Sequence, residues 1–208
     1  MFHDRNEAAI MLAEQLADYK GKKPLILAIP RGAVPMARII ADKLDGEFDV
    51  VLVRKLRAPD YPELAIGSID ESGWTYLADH AASVGADSEY IEAERKQQMT
   101  TIKQRRAQYT PVHLPIDPAG RIVIVIDDGL ATGATMISAL HGLRSRKPAR
   151  LICAIPVSPP ETLRKIQPLA DQVVCIDTPD NFRAVGQFYV DFPQVEDEEV
   201  IHILQNQG

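Results

Sequence analysis

The sequence predicts an α/β fold, a mostly parallel twisted sheet with helices on both faces, and three observations carry that expectation. Short continuous apolar runs recur along the chain: "PLILAI" (24–29), "RIVIVID" (121–127), "ARLICAIPV" (149–157) and "DQVVCID" (171–177). Unbroken apolarity of that length is what a strand buried on both faces requires. Stretches of helical period separate the runs, joined by short turns rich in Gly, Pro and Asp, and that alternation is the signature of parallel strands with crossover helices. In such sheets ligands bind outside the carboxyl ends of the strands, and two of these runs end in unusual polar chemistry.

The first segment, "DRNEAAIMLAEQLADYKG" (4–21), predicts an amphipathic helix. Asp4 is its cap, Glu7 completes a capping box three residues on, and Gly21 ends it. Ala9, Leu12, Ala13 and Leu16 share one face at helical spacing. "PLILAI" follows as the first strand, "GAVPMARIIADKLDG" (32–46) as a helix and "FDVVLVRKL" (48–56) as one continuous second strand. Further on, "RIVIVID" leads into the helical "ATMISALHGLRSR" (134–146), and "ARLICAIPV" into "PPETLRKIQPLA" (159–170). Two segments break the rhythm. "AIGSIDESGWTYLA" (65–78) predicts an antiparallel hairpin turning at Glu71-Ser72-Gly73. "SEYIEAERKQQMTTIKQRRAQY" (88–109) predicts a long polar helix, and the Pro-punctuated "TPVHLPIDPAG" (110–120) returns to the sheet.

Composition narrows the function classes. A chain of 208 residues, 46% hydrophobic and 25% charged, fits one globular domain. The net charge of −6 argues against a nucleic-acid or anionic-membrane partner, which calls for a basic surface. Cys153 and Cys175 lie inside apolar runs without a second ligand at metal spacing, so they read as buried free thiols suited to a reducing compartment. Asp4, Arg5 and Glu7 stand where a signal peptide needs an apolar core, and no run approaches the ~18 residues of a membrane span. A cytoplasmic protein is expected. His3, His80, His113, His141 and His202 are scattered, and neither Ser138 nor Ser158 has a neighbouring base motif, so nucleophilic catalysis has no support.

"RIVIVIDDGLATGATM" (121–136) is the informative stretch. Thr132-Gly133-Ala134-Thr135 at a strand-to-helix turn leaves backbone N–H groups open at a helix N-terminus, where the dipole favours an anion. Two carboxylates just upstream would repel a phosphate beside them, so Asp127 and Asp128 must address something else: sugar hydroxyls or Mg²⁺. One ligand meets both demands, a ribose phosphate. Capping of the next helix by the two Asp residues is the plainer alternative. A Walker loop is excluded because no Lys follows the glycines, and no G-x-G-x-x-G turn is present here.

"VIVIDDGLATGAT" resembles the phosphoribosyl pyrophosphate (PRPP) motif of the type I phosphoribosyltransferases: a hydrophobic strand, two acidic residues and a T-G-x-T loop. The resemblance implies Mg²⁺-dependent transfer of a phosphoribosyl group from PRPP to a nitrogen nucleophile, such as a nucleobase, with release of pyrophosphate. It implies Asp127 and Asp128 as the catalytic and metal-facing pair, and Ala131, Thr132, Gly133, Ala134 and Thr135 as the 5′-phosphate loop. Ala134 replaces the commoner Gly. Hypoxanthine–guanine members carry an Asp where this chain has Ala131, which disfavours that purine subtype.

A second anion site is then expected, and "AIPRGAVPMA" (28–37) supplies one. Its Gly-containing turn, open N–H groups and the Arg31 guanidinium suit phosphate oxygens, as against a tight turn with a surface Arg. In the resembled family this is the pyrophosphate loop, often with a cis non-proline peptide. Pro30, Arg31, Gly32 and Ala33 are its candidates, joined by Arg54 and Lys55 from "VRKLRAP" (53–59), with Arg57 left outside that set. Residues 60–110 would be the insertion that carries the family's flexible closing loop, with Arg95, Lys96, Lys103, Arg105 and Arg106 as its cations, and 178–208 a C-terminal hood on one domain spanning 1–208. Phe182, Phe188, Tyr189 and Phe192 in that hood either stack on a base or pack. The match extends to bacterial phosphoribosyltransferase-like proteins of undefined acceptor through "RKL.AP..PELAIG" and "FRAVGQFY.DF.QV". PRPP, a nucleobase-like acceptor and often a second copy of the chain are the partners it implies. The rival from another class is a regulator that senses PRPP without turning it over.

Overall fold

The computed structural model describes residues 1–112 and 114–206; His113 and the end of the hood segment (207–208) lie outside the described residues. Five parallel strands form the central sheet: β1 (Leu25–Ala28), β2 (Glu47–Val50), β6 (Ile122–Ile126), β7 (Arg150–Val157) and β8 (Gln172–Asp177), in the order β2-β1-β6-β7-β8. A second, antiparallel sheet contains β3 (Val53–Arg57), β4 (Ala65–Asp70) and β5 (Thr75–Leu77). The α-helices are α1 (Arg5–Gln15), α2 (Val34–Leu44), α3 (Ser88–Tyr109), α4 (Ala134–Ser145), α5 (Pro160–Ile166) and α6 (Asp197–Gln205).

The unbroken apolar runs are strands because both faces of the sheet are covered. Ile26, Ala28, Ile124, Ile126, Ile152 and Ala154 point to one core, shared with Leu12 of α1 and Ile40 of α2. Their neighbours Leu25, Leu27, Val123, Val125, Leu151 and Cys153 point to the other, shared with Met136 and Leu140 of α4. The alternation is the strand period of two, with an apolar partner on each side. Cys153 is a buried free thiol whose pKa is pushed up by burial, and Cys175 is a free thiol only half-buried.

Three expectations are corrected. "FDVVLVRKL" is not one strand: β2 ends at Val50, and β3 begins at Val53 in the other sheet. The chain turns because its backbone is captured by side chains of the insertion. Val51 N–H makes the last bond to β1, at Ala28 O (2.9 Å). Leu52 N–H then donates to the Glu71 carboxylate (3.0 Å), and Arg106 donates to Val50 O (3.3 Å). The first helix stops at Gln15, with a 3-10 turn at Ala17–Tyr19 before Gly21. Its capping box is also incomplete. Asp4 accepts from Glu7 N (2.9 Å), whereas Glu7 accepts from His3 N rather than from the cap. The hood also contains a helix, α6, that the aromatic-rich tail did not announce.

The hairpin and the long helix form where predicted. β4 and β5 flank the 71–74 turn, and Asp87 caps α3 by accepting from Tyr90 N (2.8 Å). The small sheet is pinned to the start of α4: Ser68 Oγ donates to Ala134 O (2.6 Å) and lies 2.6 Å from Ser138 Oγ, all buried. α3 is mostly polar; besides Ile102 and Tyr109 it buries Glu94 and Gln98. Glu94 accepts from Arg57 N (3.0 Å) and from Gln98 (3.0 Å), whose side-chain oxygen accepts from Arg54 (3.0 Å). These bonds satisfy buried polar groups and fix β3, with its cations, beside the ends of β1 and β6.

Candidate functional site

β6 ends at Ile126, and its next two residues are Asp127 and Asp128. Burial, and then the charge of Asp128, pushes the Asp127 carboxyl well above the usual range. The Lys55 ammonium opposes this, and Asp127 accepts the N–H of Asp128 (2.9 Å). Asp128 is also raised by burial, but here Arg5 pulls the other way. Arg5 Nε and Nη2 both lie 2.9 Å from Asp128 Oδ2.

The turn into α4 has the geometry that an anion needs. Gly133 adopts φ +76° as the N-cap, a left-handed conformation that glycine takes without penalty. Having no side chain, it leaves the helix start open to a ligand, with the Ala134 N–H making only a long contact to Thr132 Oγ1 (3.5 Å). An added methyl there would come within 2.8 Å of Thr162 Cγ2. Thr162 also fixes the loop by donating to Ala131 O (2.6 Å). Thr132 is exposed at the rim.

The turn after β1 contains a cis peptide between Pro30 and Arg31, as the resemblance implies. Gly32 passes so close to Asp128 that an added Cβ would overlap its Oδ2. The two loops and β3 enclose one cleft, lined by Pro30, Arg54, Lys55, Arg57, Arg105 and Thr135, with Glu63 as an acid at its edge. Burial and the neighbouring charges of Arg105 and Arg57 lower the Arg54 pKa. Crowded cations repel one another, and an incoming anion relieves that repulsion. Arg31 is placed differently: its guanidinium pairs with Glu196 (3.1 Å) and Asp197 (3.6 Å).

Arg5 and the role of Arg105 were not singled out from the sequence. Arg5 reads there as one more residue of an amphipathic helix, and Arg105 as one of several helix cations. Arg95 is bound to Thr75 and Glu92, Arg106 to Glu71, and Lys96 and Lys103 line a separate cleft with Arg95, while Arg105 lines the cleft at Arg54 and Lys55. Most of the hood aromatics pack. Tyr189 stacks on Phe192 (4.7 Å between centroids), contacts Phe2 (5.4 Å) and donates to Asp128 O (2.7 Å). Phe182 is half-buried and contacts Phe188 (5.1 Å), but it also faces a shallow cleft that it shares with Ala131, Thr132 and Arg183. His141 stacks on Trp74 (4.1 Å). Among the described residues no cluster of three His, Cys, Asp or Glu side chains could hold a metal ion, and no helix is long and apolar enough to cross a membrane. A Mg²⁺ ion fits the donor set only if a phosphorylated ligand brings further oxygens, the usual arrangement for that ion.

A pair of acids, a glycine-opened helix start and a cationic cleft stand at adjoining strand ends, and the chain belongs to the phosphoribosyl transferase domain family, whose model matches residues 3–193. In particular, it is 37% identical over 205 residues to a Mycobacterium tuberculosis protein provisionally named a phosphoribosyl transferase. That match covers 98% of this chain and 46% of the relative, so the chain spans about half the relative's length. The crystal structure of TT1426 from Thermus thermophilus superposes with a TM-score of 0.82 at 41% identity, covering 98% of this chain and 97% of that one. The purine phosphoribosyltransferase from Pyrococcus horikoshii shares the fold (TM-score 0.51, 16% identity, 92% of this chain and 93% of that one).

Proposed function

We propose that this chain transfers the phosphoribosyl group of PRPP to a nitrogen nucleophile of nucleobase type, with Mg²⁺, releasing pyrophosphate. The observation that carries the reading is the convergence of Asp127, the Gly133 turn and the Arg54–Lys55–Arg105 cleft at neighbouring strand ends. The 5′-phosphate sits on the N–H groups at the start of α4, with the Thr132 and Thr135 hydroxyls. The ribose hydroxyls face Asp127 and Asp128. Pyrophosphate lies along the turn of residues 30–33 toward Arg54, Lys55 and Arg105.

In the reaction a nitrogen lone pair attacks the anomeric carbon, the carbon–oxygen bond to pyrophosphate breaks with inversion, and the nucleophile's proton passes to solvent. Positive charge develops on the ribose and negative charge on the departing oxygens. The half-buried carboxylates stabilise the first and the cleft cations the second, where low dielectric strengthens both. Asp127 is the residue that would hold Mg²⁺ brought with PRPP, and the ion would supply neutralising charge for the departing pyrophosphate. Residues 60–110 supply the cover that excludes water, and 178–206 form the hood over the acceptor. Ala131 provides no carboxylate for a purine ring, which argues against an acceptor of the hypoxanthine–guanine type.

Pyrophosphate release from PRPP, measured against a panel of nucleobases and other nitrogen nucleophiles, tests this. Acceptor-dependent release identifies a transferase and names its substrate. PRPP binding with no release for any acceptor would replace transfer with sensing, and release into water alone would make the chain a hydrolase.

A further inference from the structure

Arg5 is the first residue of α1, where a solvated side chain is the ordinary outcome, yet its side chain is only 11% exposed. Two of its nitrogens reach Oδ2 of Asp128, and Nη1 donates to Pro193 O (2.6 Å). The guanidinium lies over the ring of Phe192, 3.8 Å from its centroid. Phe192 stacks on Tyr189, and the Tyr189 hydroxyl donates to the backbone oxygen of Asp128. Gly32 closes the remaining side, since a Cβ there would come 3.1 Å from Arg5 Nη2. A planar cation held by a carboxylate, a ring and a carbonyl is pre-organised, unlike a flexible surface pair.

The consequence is that the two carboxylates after β6 are not equivalent. Asp128 has a built-in cation at hydrogen-bond distance, whereas Asp127 has its neighbour's N–H and the more distant charge of Lys55. An exposed acidic pair would attract any divalent ion. We propose that Arg5 is a positioning residue that serves as the resident counter-ion of Asp128, so that a divalent ion enters only through Asp127 and only with the oxygens of a phosphorylated ligand. The choice of ligand rests on the phosphoribosyl reading above; the exclusion of the bare ion does not.

The test uses Mn²⁺ as probe, with the free ion followed by electron paramagnetic resonance, with and without PRPP. The wild-type chain takes up Mn²⁺ only with PRPP. Arg5→Gln binds the bare ion more tightly by about tenfold or more, as expected when one neutralising charge leaves a half-buried acidic pair. Adding Asp128→Asn to Arg5→Gln reverses the gain, and Arg5→Lys, which keeps the charge, shows no gain. Equal uptake of bare Mn²⁺ by the wild type and Arg5→Gln, or no reversal in the double variant, overturns the proposal. If Arg5→Gln does not fold, Phe192→Leu loosens the guanidinium instead. A rise of about threefold in bare-ion affinity is then expected, and an unchanged affinity overturns the proposal. Failure of PRPP to promote uptake by the wild type, with the bare-ion contrast intact, would remove PRPP as the ligand and leave the role of Arg5 standing.

Discussion

Gly32→Ala probes the closest approach in the site. Gly32 lies outside the left-handed region, so alanine meets no penalty from a positive φ. The penalty comes from the neighbours: the new methyl would overlap Asp128 Oδ2 and stand 3.0 Å from Asp128 Cγ and 3.1 Å from Arg5 Nη2. Neither group can swing away freely, because Arg5 is held by Phe192 and Pro193. Overpacking of this kind costs about 1–3 kcal/mol. For a chain of this size each kcal/mol lowers Tm by about 2–4 °C, so a fall of about 2–12 °C is expected in a thermal melt. Displacing a ligand-facing carboxylate by even part of an ångström also weakens PRPP, by about tenfold or more in a calorimetric titration. A variant with wild-type Tm and wild-type PRPP affinity would refute the idea that the turn of residues 30–33 and Asp128 are built around a missing side chain.

Further consequences can be checked by simple measurements. Ser68→Ala removes the hydroxyl shared by Ala134 O and Ser138 and is expected to cost about 1–2 kcal/mol in a denaturant melt, because both partners are buried; an unchanged midpoint would show that the small sheet is not anchored there. Arg105→Gln should weaken pyrophosphate more than ribose 5-phosphate, by about fivefold to tenfold in competition titrations, and equal loss for both would place Arg105 outside the pyrophosphate cleft. Asp171 is held below the usual carboxylate range by the Arg144 fork and by the Leu151 N–H. Its folded pKa is depressed, so its stabilisation is fully present above the unfolded value of 3.8 and is lost as pH falls through the lower folded one. Asp171→Asn should therefore flatten the acid limb of the stability curve. The effect is at most about 1 kcal/mol because the pair is well exposed; an unchanged acid limb would count against it.

Much of this molecule is legible locally. The continuous apolarity of 122–126 and the Thr-Gly-Ala-Thr turn act within a few residues, and the matching elements form where those signals place them. What stays hidden depends on partners far along the chain. The break between β2 and β3 needs Glu71 and Arg106 to capture backbone groups at Val50 and Leu52, and no pattern within 48–56 encodes that. Arg5 meets Asp128 across 123 positions, so its ordinary place in an amphipathic helix conceals its partner. Arg31 looks like a free phosphate ligand until α6 brings Glu196 and Asp197 beside it. Among the basic residues of α3, only tertiary packing distinguishes Arg105, which faces the cleft, from Arg95 and Arg106, which are already bound.

Titration of PRPP with Mg²⁺ into the wild-type chain and into Asp127→Asn, followed by calorimetry, tests the phosphoribosyl site most directly. Saturable binding by the wild type that weakens by about tenfold or more in the variant is the predicted result. No binding by the wild type, or the same affinity in both chains, would contradict a phosphoribosyl site at the end of β6.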